Sequence, residues 1–219
     1  LTHSTPDHVG MDAHILNQAN SLLQSEIDSQ RISAASLLVA RHGTIVNHQG
    51  FGHLSPQNES PQTQPDSIFL LASITKPVTA CALMLLVERG QVSLNDPVSL
   101  YIPEFEGSLR KEVLVRHLLS HTSGMPDMLP ENTELRRANV PLSAFVQAAC
   151  QTPLLYPPNT DFSYQSKGIL LAAEIVERVT KQRLRDFENQ EIFSPLGMNN
   201  SALGMGSFTL DETVWCGTT

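Results

Sequence analysis

From Asp12 to about Ser29, the apolar residues Ile15, Ala19, Leu22, Leu23 and Ile27 recur at the spacing of a helix face. This pattern predicts an amphipathic helix. The period then shortens. Ala34 to Ala40 and Thr44 to Gly50 are strand-like runs on either side of Arg41-His42-Gly43, which predicts a β-hairpin. Ser55 to Asp66 is dense in Pro, Gln, Ser and Asn and reads as a surface loop. After Ile68-Phe69-Leu70-Leu71 the texture becomes helical and stays so. Pro77 to Arg89 carries Val78, Cys81, Ala82, Leu85 and Leu86 on one side and stops at Gly90, suited to a left-handed cap. Further helices are predicted over Val113 to Ser120, Leu142 to Gln151, Gly168 to Thr180 and Leu184 to Phe193.

The order of helix, hairpin and then many helices is that of an α+β protein. Three segments are expected. Residues 1–66 hold the helix and hairpin of an α/β lobe, 67–203 a mainly helical lobe, and 204–219 the start of a return to the first lobe. A lone hairpin is marginal in water and needs further strands beside it. No convincing strands follow Gly197. A sheet lobe left incomplete at the C-terminus is therefore expected, its remaining strands belonging to a missing segment or to a second chain.

Composition narrows the function classes. Of 219 residues, 41% are hydrophobic and 16% charged, as in a globular chain. The net charge of −8, without any Lys/Arg block, excludes a basic nucleic-acid groove or a polybasic membrane patch. No apolar run approaches the ~20 residues of a membrane span. Cys81, Cys150 and Cys216 are odd in number and widely spaced, which argues against a disulfide framework or a structural zinc site. They favour a reducing, cytoplasmic compartment over a periplasmic or secreted one. The opening Leu1-Thr2-His3-Ser4 lacks both an initiator Met and a signal pattern, as a processed or trimmed end would.

Candidate chemistry begins at Ser73 and Lys76. Three residues apart, they share a face if helical. A serine hydroxyl becomes a nucleophile when a neighbour accepts its proton, and a lysine of lowered pKa can do so. A helix start also aims backbone N–H groups at an oxyanion, and Pro77 fits a first turn because its missing N–H had no intrahelical partner. The alternative for this short motif is a serine cap followed by a surface lysine.

The flanking segments bear on that choice. Phe69 to Ala80, Leu94-Asn95-Asp96-Pro97-Val98, Val115 to Gly124, Tyr156 to Tyr164 and Phe193 to Met198 follow one another in an order that resembles the serine β-lactamase and penicillin-binding-protein superfamily. The likeness is greatest to its class C-like and family VIII esterase branch and runs from about Val9 to Leu203. It implies a serine β-lactamase-like (DD-peptidase) fold, with a helical lobe and an antiparallel-sheet lobe. It also implies that Ser73 is acylated, that Lys76 activates it, and that Tyr164 relays protons. Ser166 stands in Tyr164-Gln165-Ser166 where this branch keeps a substrate-binding asparagine, and a hydroxyl offers less reach than an amide. No Lys-Thr-Gly or His-x-Gly third motif is present, and the tail Trp215-Cys216-Gly217-Thr218-Thr219 does not replace it.

The expected activity is hydrolysis of short acyl esters through an acyl-Ser73 intermediate, on a small-molecule ester or amide substrate. β-Lactamase or D-amino-acid peptidase activity is the neighbouring option, and an inactive fragment without the third motif is the non-enzymatic one. No metal or cofactor is expected. His117 and His121 lie four apart, but no His-Glu-x-x-His pattern surrounds them, so a structural or hydrogen-bonding role is preferred. There is no Gly-x-Ser-x-Gly elbow and no phosphate-binding glycine loop. Asn58-Glu59-Ser60 and Asn199-Asn200-Ser201 match the glycosylation acceptor pattern, which is too common to carry weight.

Overall fold

The structure is a computed structural model that describes residues 1–57 and 59–215. Asn58 of the first acceptor pattern, and Cys216 to Thr219 of the tail, lie outside the described residues. The chain divides into two compact units, residues 1–71 with 205–219, and residues 72–204.

In the first unit, β1 (Thr2–His3) precedes α1 (Ala13–Asp28), followed by β2 (Ala34–Arg41) and β3 (Thr44–Gly52). Asp12 starts α1, its carboxylate accepting from the His14 N–H at 2.7 Å. His42 and Gly43 both take positive φ (50° and 75°), as a tight two-residue turn between right-twisted strands requires. The hairpin is antiparallel, with a bulge between Val39 and Ala40. The short β1 pairs parallel to β3, so the sheet is mixed, with order β1-β3-β2. Periodicity could not reveal a two-residue strand. The face of α1 also differs in detail from the predicted stripe. Leu16, Ala19, Leu23 and Ile27 are partly covered, whereas Ile15 and Leu22 are exposed. An amide pair, with Asn47 Nδ2 donating to Asn20 Oδ1 at 2.7 Å, ties α1 to β3.

The second unit holds α2 (Thr75–Glu88), α3 (Val115–Leu119), α4 (Asn132–Arg137), α5 (Leu142–Gln151), α6 (Ser166–Thr180) and α7 (Leu184–Glu188). A π turn over Asn189–Phe193 continues α7, so the stretch predicted as one helix changes its winding midway. The unpredicted α4, Asn-Thr-Glu-Leu-Arg-Arg, has no apolar stripe to betray it. α6 is central and packs on α2, α3, α5 and α7. Its Leu171 and Ile175 join Leu83, Leu86, Phe105 and Leu118 in a fully buried core. Gly168 lets α6 approach α3, because a Cβ there would lie 2.8 Å from the Leu118 carbonyl oxygen. Cys81 is exposed and Cys150 buried, both as free thiols. No helix among the described residues is long and apolar enough to cross a membrane.

Between α2 and α7 the core holds an acid. Glu188 is fully buried; its Oε1 accepts from the Thr79 hydroxyl at 3.1 Å and its Oε2 has no partner among the described residues. Burial pushes this carboxyl from 4.5 up to about 7. Folding therefore favours its protonated form. The associated stability is full below the unfolded value near 4.5 and is lost as pH rises through about 7. Thermal melting should thus show a midpoint lower at pH 8 than at pH 5, by about 2–8 °C for a difference on the order of 1–2 kcal/mol. Glu188→Gln should flatten that slope, and an unchanged slope in the variant would assign the pH dependence elsewhere.

Candidate active site

A single 3-10 turn, Ala72–Ile74, runs directly into α2 and carries Ser73 on an exposed surface. Ala72, just before it, takes φ 46°, an unusual left-handed conformation for a residue with a Cβ. Lys76 follows in the first turn of α2, and its Nζ donates to Ser73 Oγ at 3.0 Å. Pro77 sits beside it in that turn, where no intrahelical N–H bond is lost.

Tyr164 arrives from the far side of the core, just before α6. Lys76 Nζ lies 4.9 Å from its ring centroid. Hydrogen bonding to Lys76, and secondarily to Ser73, holds the Tyr164 hydroxyl below the usual tyrosine range. Ser73, Lys76 and Tyr164 therefore form one connected group.

Loop pairing explains the convergence. The Leu155 N–H donates to the Gly124 carbonyl at 2.7 Å, Asn159 to Thr122 at 2.8 Å and Ser163 to His121 at 3.0 Å. Gly124 has φ 82°, and a Cβ there would fall 2.2 Å from the Tyr156 carbonyl oxygen. Only glycine permits this approach. Gln165 is extended (φ −148°, ψ 133°) and fully buried, with the Ser123 hydroxyl donating to its Oε1 at 2.8 Å. Side chains alternate along an extended segment, so Tyr164 and Ser166 turn the other way. Ser166 is half-buried at the first position of α6, where its N–H donates to Asp127 Oδ1 at 2.7 Å. That carboxylate caps the helix from a distant loop.

His121 belongs to this group, where the sequence pointed to a structural or hydrogen-bonding role without naming its partner. It follows α3 with φ 60°, and its ring centroid lies 4.8 Å from that of Tyr164. Its Nδ1 accepts from the Gln165 N–H at 3.3 Å, which requires the unprotonated nitrogen. Burial, then the Lys76 charge, holds its pKa below the ordinary histidine value, in accord with that bond. His117 instead sits buried inside α3, its Nδ1 accepting from the Leu114 N–H at 3.1 Å. The two rings thus serve different contacts. Among the described residues, no group of three or more His, Cys, Asp or Glu side chains is placed to hold a metal. Asp127, Gln165 and Ser123 carried no sequence signal of their own; their contacts span 39 residues or more.

The family profile described as Beta-lactamase matches residues 19–210. Esterase EstB of Burkholderia gladioli is 29% identical over 203 residues, covering 86% of this chain and 51% of the esterase. Two solved structures are also similar. The octameric penicillin-binding protein homologue from Pyrococcus abyssi superposes with a TM-score of 0.72 at 27% identity, covering 84% of this chain and 43% of its own. The D-amino acid amidase of Ochrobactrum anthropi SV3 gives 0.72 at 25% identity, covering 91% and 56%. The chain thus spans about half the length of these proteins.

The three tyrosines of the chain should titrate in a set order. Burial raises Tyr101 and Tyr156, whereas the Lys76 and Ser73 hydrogen bonds lower Tyr164. Ultraviolet absorbance on raising pH should show the first phenolate at Tyr164, identified by its loss in Tyr164→Phe. Lys76→Met should move that first step to higher pH; a step that stays in place would break the proposed coupling.

Proposed function

Because the chain belongs to the beta-lactamase family, we propose that it carries the acylating machinery of a serine hydrolase, and that this hydrolase acts as a carboxylesterase on short acyl esters. The observation that carries the reading is the 3.0 Å contact from Lys76 Nζ to Ser73 Oγ, with the Tyr164 hydroxyl bonded to the same pair.

The reaction follows from these positions. Once Lys76 has passed one ammonium proton to solvent, it takes the hydroxyl proton while Ser73 Oγ bonds to the ester carbonyl carbon. The carbonyl π electrons move onto oxygen. When they return, the bond to the alcohol oxygen breaks, and Tyr164 delivers a proton to that leaving oxygen. Tyr164 is replenished from Lys76, which holds the serine proton. A water then attacks the acyl-Ser73 carbonyl and gives up a proton along the same path. The bond to Ser73 Oγ breaks, Oγ regains a proton, and the acid leaves. A phenol held below its ordinary pKa suits this relay, since it releases and recovers a proton closer to neutral pH. His121, uncharged against the Tyr164 ring, is a positioning residue for it.

Ester rather than amide chemistry is favoured by Ser166. Its hydroxyl is shorter than an asparagine amide and cannot offer a donor and an acceptor at the same reach. The likeness to the D-amino acid amidase keeps an amide substrate as the alternative outcome.

A chromogenic acetate ester tested beside a chromogenic cephalosporin decides between these. Turnover of the ester should exceed that of the cephalosporin, and Ser73→Ala should lower it more than about a thousandfold. Lys76→Ala should cost about 10²–10⁴-fold. Tyr164→Phe should cost more on an alkyl ester than on a nitrophenyl ester, whose leaving group needs little protonation. Equal rates for wild type and Ser73→Ala would sink the assignment.

A further inference from the structure

Lys167, the second residue of α6, is only 3% exposed. A buried ammonium has three N–H groups to satisfy and a charge to compensate. Among the described residues its one hydrogen bond is to Thr152 Oγ1, at a long 3.3 Å, and that hydroxyl itself donates to the Ala148 carbonyl. No carboxylate lies within ion-pair distance of it among the described residues. Asp127 and Glu131 are near enough to favour the charged form, but burial outweighs them and lowers the Lys167 pKa. The charge is incompletely matched by the protein's own groups.

The same residue lines a cavity of about 330 Å³. Met128, Leu129, Leu142, Phe145 and Leu170 make most of its wall apolar, and Arg136 adds a second cation. Ser166 and Asp127 also line it: Ser166 follows Tyr164 by two residues, and Asp127 accepts from the Ser166 N–H. Asp127 is the one carboxylate on this wall, and its Oδ1 is engaged at the start of α6. Two cations and an apolar wall, reached along the chain from Tyr164 through Ser166, describe a pocket for a chain that is apolar along its length and anionic at its end.

We infer that this cavity receives the acyl chain of an ester that ends in a free carboxylate, which meets Lys167 and Arg136. The inference rests on the Ser73 reading above, and it names the substrate class of that site as the half-esters of short dicarboxylic acids.

The test compares monomethyl glutarate with methyl pentanoate, whose acyl chains match in length and differ in the terminal charge. Acid release by the purified protein is followed at constant pH. Wild type should favour the half-ester at least tenfold in kcat/KM, and Lys167→Met should lower that ratio at least tenfold, with Lys167→Arg restoring part of it. A merely structural lysine would reduce both rates and leave the ratio untouched. A wild-type ratio of one or less, or an unchanged ratio in Lys167→Met, overturns the inference. Should Lys167→Met fail to fold, Arg136→Gln and the wild-type ratio carry the same comparison. Calorimetric binding of monomethyl glutarate to Ser73→Ala separates the two readings. Binding there, lost on adding Lys167→Met, supports the pocket even if neither ester is turned over; absence of binding overturns it even if Ser73 proves catalytic.

Discussion

How near α6 can come to α3 is limited by one missing side chain. At Gly168 a Cβ would sit 2.8 Å from the Leu118 carbonyl oxygen, so any other residue would push the helix outward. The first turn of α6 would move with it. Tyr164, Gln165 and Ser166 enter the helix there, and Ser73 and Lys76 wait at the start of α2, which packs against the same helix. Two chain segments far apart in sequence meet at hydrogen-bond distance because a packed core fixes the register of one helix on its neighbours. The Leu171 and Ile175 layer below supplies the burial that holds this arrangement, at about 25 cal/mol per Å² of apolar surface.

Charge in this unit is graded by depth. Lys76 stands at the surface end of α2, where one ammonium serves both Ser73 and Tyr164. The same charge discourages a second cation on His121, whose Nδ1 must stay unprotonated to accept from Gln165. One turn further into the core, Thr79 meets Glu188, and there burial favours the neutral acid. Lys167 lies at comparable depth on α6 with a single hydroxyl for company. The two buried groups respond in the same way, each pushed toward its uncharged form, and Lys167 lines a cavity that an external counter-charge could enter.

Much of the helical texture was legible from periodicity, because those helices bury one face on a common core and the apolar stripe records it. The span Leu142–Gln151 matches the predicted helix, and the hairpin strands extend only one or two residues further. Where burial leaves no stripe, the pattern is silent, as in polar α4 and the two-residue β1. On α1 two apolar stripes overlap, and periodicity could not tell which one the sheet covers. Ser73 and Lys76 were visible because their contact is local, three residues along one chain segment. Tyr164 was singled out by resemblance. Asp127 and Gln165 were given no role and the partner of His121 was not identified, since each acts through a group brought close only by folding, and no spacing rule encodes a contact across the core.

Exposure and burial divide the labour within the candidate site. Ser73 and Tyr164, which the proposed reaction needs open to a substrate, are exposed, which leaves their geometry unsupported by packing of their own. Support comes from behind. Gln165 is wholly buried, gripped by Ser123 through its Oε1, and its backbone N–H is fixed on His121, whose ring lies against Tyr164. The Asp127 carboxylate pins the next N–H. Tyr164 is thus one covalent step from a buried residue, and reach by solvent costs it little positional order. On the other side, the left-handed Ala72 holds Ser73 at an angle that a relaxed backbone would abandon, and α2 clamps the residues that follow. A serine at a strained corner and a tyrosine on a buried anchor can then share one lysine.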